Sequence, residues 1–187
     1  MTLFDLTYPL GPCTPVFPGD EPVSVRVVSD CARGDTCTAR RLELGSHSGT
    51  HVDAPAHLIA GGLTVDALPL SLWIGPALLA DLGGLDAGAL EGVARLLLSD
   101  VAEGLSLEQA AVIAGAGVRL LGIDGPSLDP VTSADLPVHR LLLGAGIALV
   151  ENLRLEGVPQ GRGTLYCLPL PVEGGDGAPC RVLWEGV

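Results

Sequence analysis

Residues Ser46 to His57 read Ser-His-Ser-Gly-Thr-His-Val-Asp-Ala-Pro-Ala-His, and three of the four histidines in the chain fall inside this stretch. Imidazole and carboxylate are the donors that borderline divalent cations prefer. His47, His51 and Asp53 therefore form a candidate metal-ligand set, with His57 as a proton carrier beside it. His47 and His51 stand four apart, as on the helix of the His-Glu-x-x-His metalloproteases, but the glutamate that serves there as general base is missing. The residues between them, Ser48-Gly49-Thr50, are poor helix formers, so an extended chain is expected. Extension places His47, Gly49, His51 and Asp53 on one face, with Gly49 leaving room for an ion between the imidazoles. Three protein ligands leave coordination positions for water or substrate, as a catalytic site requires. Pro55 has no N–H and ends the ladder, and a helical turn beyond Asp53 would return His57 toward the ion. The alternative is a set of histidines that only satisfies polar contacts in a loop.

The elements that position this stretch follow from pattern. Leu3 to Leu6 is expected to be a short strand. Gly11 to Pro22 is a proline-rich loop carrying Phe17, which either lines a pocket or plugs the core edge. Val23, Val25 and Val27 alternate with polar residues as in a half-buried strand, and Thr38 to Leu44 follows after a Gly34-Asp35 turn. Pro76 to Leu82 and Ala94 to Leu98 read as buried strands, with Asp86 to Val93 helical between them. Ser106 and Gln109 fit a capping box that starts a helix running to about Ala114. Val118 to Ile123 is apolar throughout, hence a central strand.

Asp124 and Asp129 follow that strand, where α/β proteins gather ligand contacts. They are read either as partners orienting metal-bound histidines or as turn formers. A helix from about Ala134 to Leu143 carries His139, and a strand over Ile147 to Val150 leads to Glu151. Taken alone, His139 reads as a structural helical histidine and Glu151 as a solvated carboxylate. Leu165 to Pro171 and Arg181 to Trp184 supply two more strands around a glycine-rich turn, Gly174 to Gly177. Strands alternating with helices give an α/β layer architecture with no internal repeat.

Composition excludes several classes of function. The 187 residues are 48% hydrophobic and 17% charged, enough for a sizeable core in one domain. Net charge is −12, all ten basic residues are arginine, and no basic stripe is visible, so nucleic-acid binding is not expected. No apolar run is long enough to cross a membrane, and no basic leader precedes one, so a cytoplasmic protein is expected. The five cysteines, Cys13, Cys31, Cys37, Cys167 and Cys180, include no Cys-x-x-Cys pair and are expected to be buried free thiols.

The run from His47 to His57 resembles the His-x-Gly-Thr-His-x-Asp-x-Pro-x-His signature of the metal-dependent cyclase-like hydrolases, and among them the bacterial kynurenine formamidases. The likeness extends to Thr14 to Asp20, Ile123 to Pro130, Glu151-Asn152-Leu153 and Cys167 to Leu170. It implies a swivelling β/β/α fold with a mixed central sheet over residues 1–187. It also implies two zinc ions, with manganese as the alternative metal. His47, His51 and Asp53 would hold one ion, Asp53 and His139 the second, and Glu151 would touch both. His57 would donate and accept protons, and Phe17 would contact substrate where the formamidases carry a tryptophan.

The implied reaction is hydrolysis of N-formyl-L-kynurenine to L-kynurenine and formate, a step of tryptophan degradation, in a homodimer or larger homo-oligomer. A sister activity opens a cyclic amide such as isatin. A non-catalytic metal-binding module is the reading from another class, and the retained His57, which a ligand set does not need, speaks against it. Two departures bear on substrate: Phe17 lacks the indole N–H, and the Asp100 to Leu105 segment is shorter than its counterpart.

Overall fold

The computed structural model describes residues 2–85 and 88–186. Ten strands and two helices follow in the order β1 (Thr2–Asp5), β2 (Ser24–Ser29), β3 (Ala39–Glu43), β4 (His51–Asp53), β5 (Ile74–Asp81), β6 (Arg95–Ser99), α1 (Leu107–Gly115), β7 (Leu120–Ile123), α2 (Pro137–Gly144), β8 (Ala148–Glu151), β9 (Gly161–Pro169) and β10 (Gly177–Gly186). Eight strands form one mixed sheet in the order β1-β10-β4-β8-β7-β6-β5-β9. Because β9 also pairs with β10, seven of them close into a barrel, and β1 lies along the outer part of the long β10. The α/β architecture with a mixed sheet is as expected; the closure is not visible in the local pattern.

The parallel run β5-β6-β7-β8 explains the apolar strands, since both of its faces are covered. On β6, Leu97 points into the barrel while Leu96 and Leu98 face the helices. On β8, Ala148 and Val150 point inward and Leu149 outward. The barrel interior is filled by residues such as Val52, Leu79, Leu120, Leu165 and Trp184, and a second core lies between the sheet and α1 and α2. The capping box at the start of α1 is present, with Ser106 and Gln109 bonded reciprocally.

Several local expectations are corrected. β2 and β3 form a separate two-stranded hairpin. Val23 is buried and Val25 half-buried, but Val27, Val28 and Leu42 are exposed, so the alternation marks burial only at the start of β2. The described part of the segment between β5 and β6 is a short 3-10 turn and further turns rather than a helix, and Asp86 and Ala87 lie outside the described residues. Cys167 and Cys180 are buried thiols, whereas Cys13, Cys31 and Cys37 are exposed. Among the described residues no helix is long and apolar enough to cross a membrane.

Candidate metal centre

Cross-strand register builds the site. In the antiparallel pair β4–β8, His51 stands directly opposite Glu151, Asp53 opposite Leu149, and Val52 opposite Val150. Val52 and Val150 fill the barrel, so His51, Asp53 and Glu151 must point the other way, toward the helices. There α2 presents His139. His51, Asp53, His139 and Glu151 are each at most 5% exposed.

His139 Nε2 lies 3.0 Å from Glu151 Oε1 and 3.7 Å from Asp53 Oδ2, and His51 Nε2 lies 3.3 Å from Asp53 Oδ1 and 3.6 Å from Glu151 Oε2. The opposite ring nitrogens are already engaged. His51 Nδ1 donates to the Gly49 carbonyl at 2.8 Å, and His139 Nδ1 lies 2.6 Å from Asp129 Oδ2. Asp129 is thus the partner of a site histidine. Asp124, by contrast, accepts the backbone N–H groups of Asp100 and Val101 and so ties the loop after β7 to the loop after β6, neither orienting a histidine nor closing a turn of its own.

His47 arrives differently from the expectation. The strand covers only His51 to Asp53, and residues 46–50 form a turn. Gly49 has φ +66°, and a Cβ there would lie 2.7 Å from Thr14 Cγ2, so its missing side chain accommodates the proline-rich loop rather than an ion. The turn brings His47 Nδ1 to 2.8 Å from Asp53 Oδ1. The short 3-10 turn Pro55–His57 then returns His57 to the site, its ring centroid 4.1 Å from that of His47, as the sequence predicts.

The cluster fits a divalent cation on its donor chemistry. Two sets of three have all ligand atoms within 4.8 Å of one another, His47–His51–Asp53 and Asp53–His139–Glu151, and they share Asp53. Bonds of about 2.0–2.1 Å to a tetrahedral ion place ligand atoms about 3.3–3.4 Å apart, close to the spacings seen here. A third set, His47–His57–Asp176, meets the same distance criterion but is only half-buried.

Charge points the same way. Burial by itself would lower the pKa of His47, but the hydrogen bond and charge of Asp53, with Asp176 behind, raise it to about 9. Burial likewise opposes protonation of His139, yet Glu151, Asp53 and Asp129 raise it to about 9. Asp53 is pushed upward by burial and held well below the usual carboxylate range by His47 and His51. Protons on imidazoles thus hold the buried carboxylates in place, a task a cation performs equally well.

Above the cluster opens a cavity of about 270 Å³, lined by Phe17, Asp20, Pro126, Ser127, Leu136 and Asn152 together with the four histidines, Asp53 and Glu151. Phe17 is therefore a cavity wall rather than a core plug. Asp100 lines a separate, larger cavity with Phe4 and Tyr8 and does not border this one. Sequence reasoning did not single out Asp176, whose carboxylate meets both His47 and His57. The signal was a lone acid inside the turn Gly174-Gly175-Asp176-Gly177, just ahead of an apolar strand.

The family model described as putative cyclase matches residues 4–101. This chain belongs to the putative cyclase family. It is 38% identical over 215 residues to the kynurenine formamidase of Salinibacter ruber (strain DSM 13855 / M31), covering 98% of this chain and 97% of that one. A solved structure of a potential metal-dependent hydrolase with cyclase activity superposes with a TM-score of 0.81 at 28% identity, covering 98% of this chain and 96% of the other. An isatin hydrolase bound to the product analogue thioisatinate shares the fold, with a TM-score of 0.84 at 22% identity, covering 98% and 92%.

Proposed function

We propose that the chain is a metal-dependent amidohydrolase that converts N-formyl-L-kynurenine to L-kynurenine and formate. The observation that carries this reading is the buried pair of ligand sets sharing Asp53, with His57 beside them at the floor of a cavity walled by Phe17. The near full-length likeness to a kynurenine formamidase supports the choice of substrate. In this reading residues 1–187 act as one catalytic domain. His47, His51 and Asp53 would hold one ion, Asp53 and His139 the other, and Glu151 would reach both. The imidazole-rich donor set favours zinc, with manganese as the alternative.

A divalent cation held there would lower the pKa of a bound water toward neutrality and polarise a carbonyl oxygen. The residues do the remainder. Phe17 packs against the aryl ring and orients the formyl amide over the cluster. His57 takes a proton from the attacking water as its oxygen bonds to the formyl carbon. The C–N bond then breaks, and His57 returns that proton to the departing aryl amine. Help of this kind is worth about 10²–10⁴ in rate.

Formate release from N-formyl-L-kynurenine by the zinc-loaded protein tests the reading, with isatin as the competing substrate and His57→Ala as the control. Turnover of N-formyl-L-kynurenine that collapses in His57→Ala while metal content holds is the expected result. Preferential opening of isatin transfers the site to cyclic amides. Full activity in His57→Ala, or after chelation, sinks the mechanism.

A further inference from the structure

Asp176 has no place in the ligand sets that share Asp53, yet its position is closely determined. It precedes β10 by one residue, and its carbonyl accepts the backbone N–H of Ala54 at 2.9 Å, tying it to the residue that follows Asp53. One oxygen, Oδ2, lies 2.9 Å from His47 Nε2 and 3.3 Å from His57 Nδ1, and the Ser46 side chain bonds to the same carboxylate. The glycine next to it is required for this approach. A Cβ on Gly177 would lie 2.7 Å from His47 Cε1 and 2.6 Å from the Val52 carbonyl oxygen.

A neutral imidazole carries its proton on one nitrogen and its lone pair on the other, and the hydrogen bond made by one side decides which. A nitrogen facing a carboxylate at hydrogen-bond distance carries the proton, because a lone pair there would meet the oxygen's own. Nδ1 of His57 is so placed, which leaves the lone pair on Nε2. Among the described residues Nε2 has no hydrogen-bond partner, and His57 lines the cavity. His47 faces a carboxylate at both nitrogens, Nε2 toward Asp176 at 2.9 Å and Nδ1 toward Asp53 at 2.8 Å, so without metal it carries both protons; a cation held with Asp53 would take the Nδ1 side and leave Nε2–H on Asp176. One carboxylate oxygen thus accepts from Nε2 of one ring and from Nδ1 of the other.

We propose that Asp176 is a positioning residue that holds His57 in the Nδ1–H tautomer, so that Nε2 is the nitrogen that accepts and returns the proton. This rests on the role given to His57 in the amide hydrolysis above. Asp176 does not touch the substrate in this scheme. It acts through the imidazole, as the buried aspartate of a serine-protease triad acts through its histidine.

The test is long-range ¹H–¹⁵N spectroscopy of the histidine rings in the zinc-loaded protein, where only four histidines need assigning and a His57→Gln variant identifies the signal. The wild type is expected to show His57 protonated on Nδ1. In Asp176→Ala the ring is expected to shift to the Nε2–H form that water favours, with zinc content unchanged. The kcat then falls by on the order of 10²-fold while KM stays within about twofold, and Asp176→Glu recovers part of the loss. A wild-type His57 protonated on Nε2, or an Asp176→Ala protein whose His57 tautomer does not change, overturns the proposal. Loss of zinc with the His57 tautomer intact also overturns it and moves Asp176 to the metal set. The wild-type spectrum decides the matter even where Asp176→Ala does not fold. A wild type with the expected tautomer but no formamidase activity refutes the substrate reading instead.

Discussion

Asp129 Oδ2 lies 2.6 Å from His139 Nδ1, and the same carboxylate accepts the backbone N–H groups of Val138 and His139, each at 3.0 Å. Helix α2 has no side-chain cap at Leu136, whose φ is +45°, so Asp129 supplies that cap from earlier in the loop that leads into the helix, while aiming the ring it orients at Glu151. Removing it strikes both roles. Asp129→Ala is expected to cost roughly 1–2 kcal/mol of stability, as a lost cap does, and to weaken metal binding about 10–100-fold. Thermal unfolding of the metal-free protein reads the first effect and zinc competition against a chelator the second. A destabilised protein with unchanged zinc affinity would reduce Asp129 to a cap.

The shared position of Asp53 separates it from its neighbours. If the two ligand sets each hold an ion, Asp53→Ala removes a ligand from both, whereas His47→Ala strips only one. Metal analysis after equilibration is expected to give close to zero ions per chain for Asp53→Ala and close to one for His47→Ala, against two for the wild type. Equal losses in the two variants would mean a single ion bound by all five side chains.

Without metal, the protein should lose stability as pH rises through 9. His47 and His139 have folded-state pKa values of about 9, above the value of about 6.5 expected in the unfolded chain. The folded state therefore binds more protons between these values. The stabilisation is complete below about pH 6.5 and disappears as pH passes 9. Thermal melts in the presence of a chelator should show the midpoint falling over that window. Zinc uptake at pH 7 should release protons, measurable as a buffer-dependent heat. A flat melting profile from pH 6.5 to 9.5 contradicts the ion-paired cluster.

How much of this was legible in the chain depends on which force set each feature. The His47 to His57 run states donor types directly, and α1 announces itself through Ser106 and Gln109, because both signals are local. The apolar strands β6, β7 and β8 are equally legible, since burial on two faces leaves no polar alternation. Barrel closure is not local: it depends on β9 meeting β5 on one edge and β10 on the other. The extended geometry expected for His47 failed at Gly49, which turns at φ +66° and packs without a Cβ against Thr14 of a distant loop, a contact unseen in the spacing. His139 and Glu151 look ordinary alone; the family resemblance marks both, and the β4–β8 register together with α2 shows how they meet Asp53. Asp176 had no pattern to reveal it, only a turn.

Gly49 offers the sharpest check on that point. At φ +66° an L residue costs roughly 1–2 kcal/mol, and the added Cβ would sit 2.7 Å from Thr14 Cγ2. Thr14 cannot easily give way, because its hydroxyl accepts from the Gly11 N–H at 2.7 Å and donates to the Pro9 carbonyl at 2.9 Å. The Gly49 carbonyl is also the acceptor for His51 Nδ1 and for the Asn152 side-chain amide, so a shifted turn tilts His51. Gly49→Ala is expected to lose about 2–3 kcal/mol, roughly 4–12 °C in Tm for a chain of this size. Zinc affinity should weaken as well, although the substitution touches no ligand. In a flat strand with His47 and His51 on one face, Gly49→Ala would be nearly neutral for folding. A neutral result would therefore restore the extended chain and remove the turn from the account of how His47 reaches Asp53.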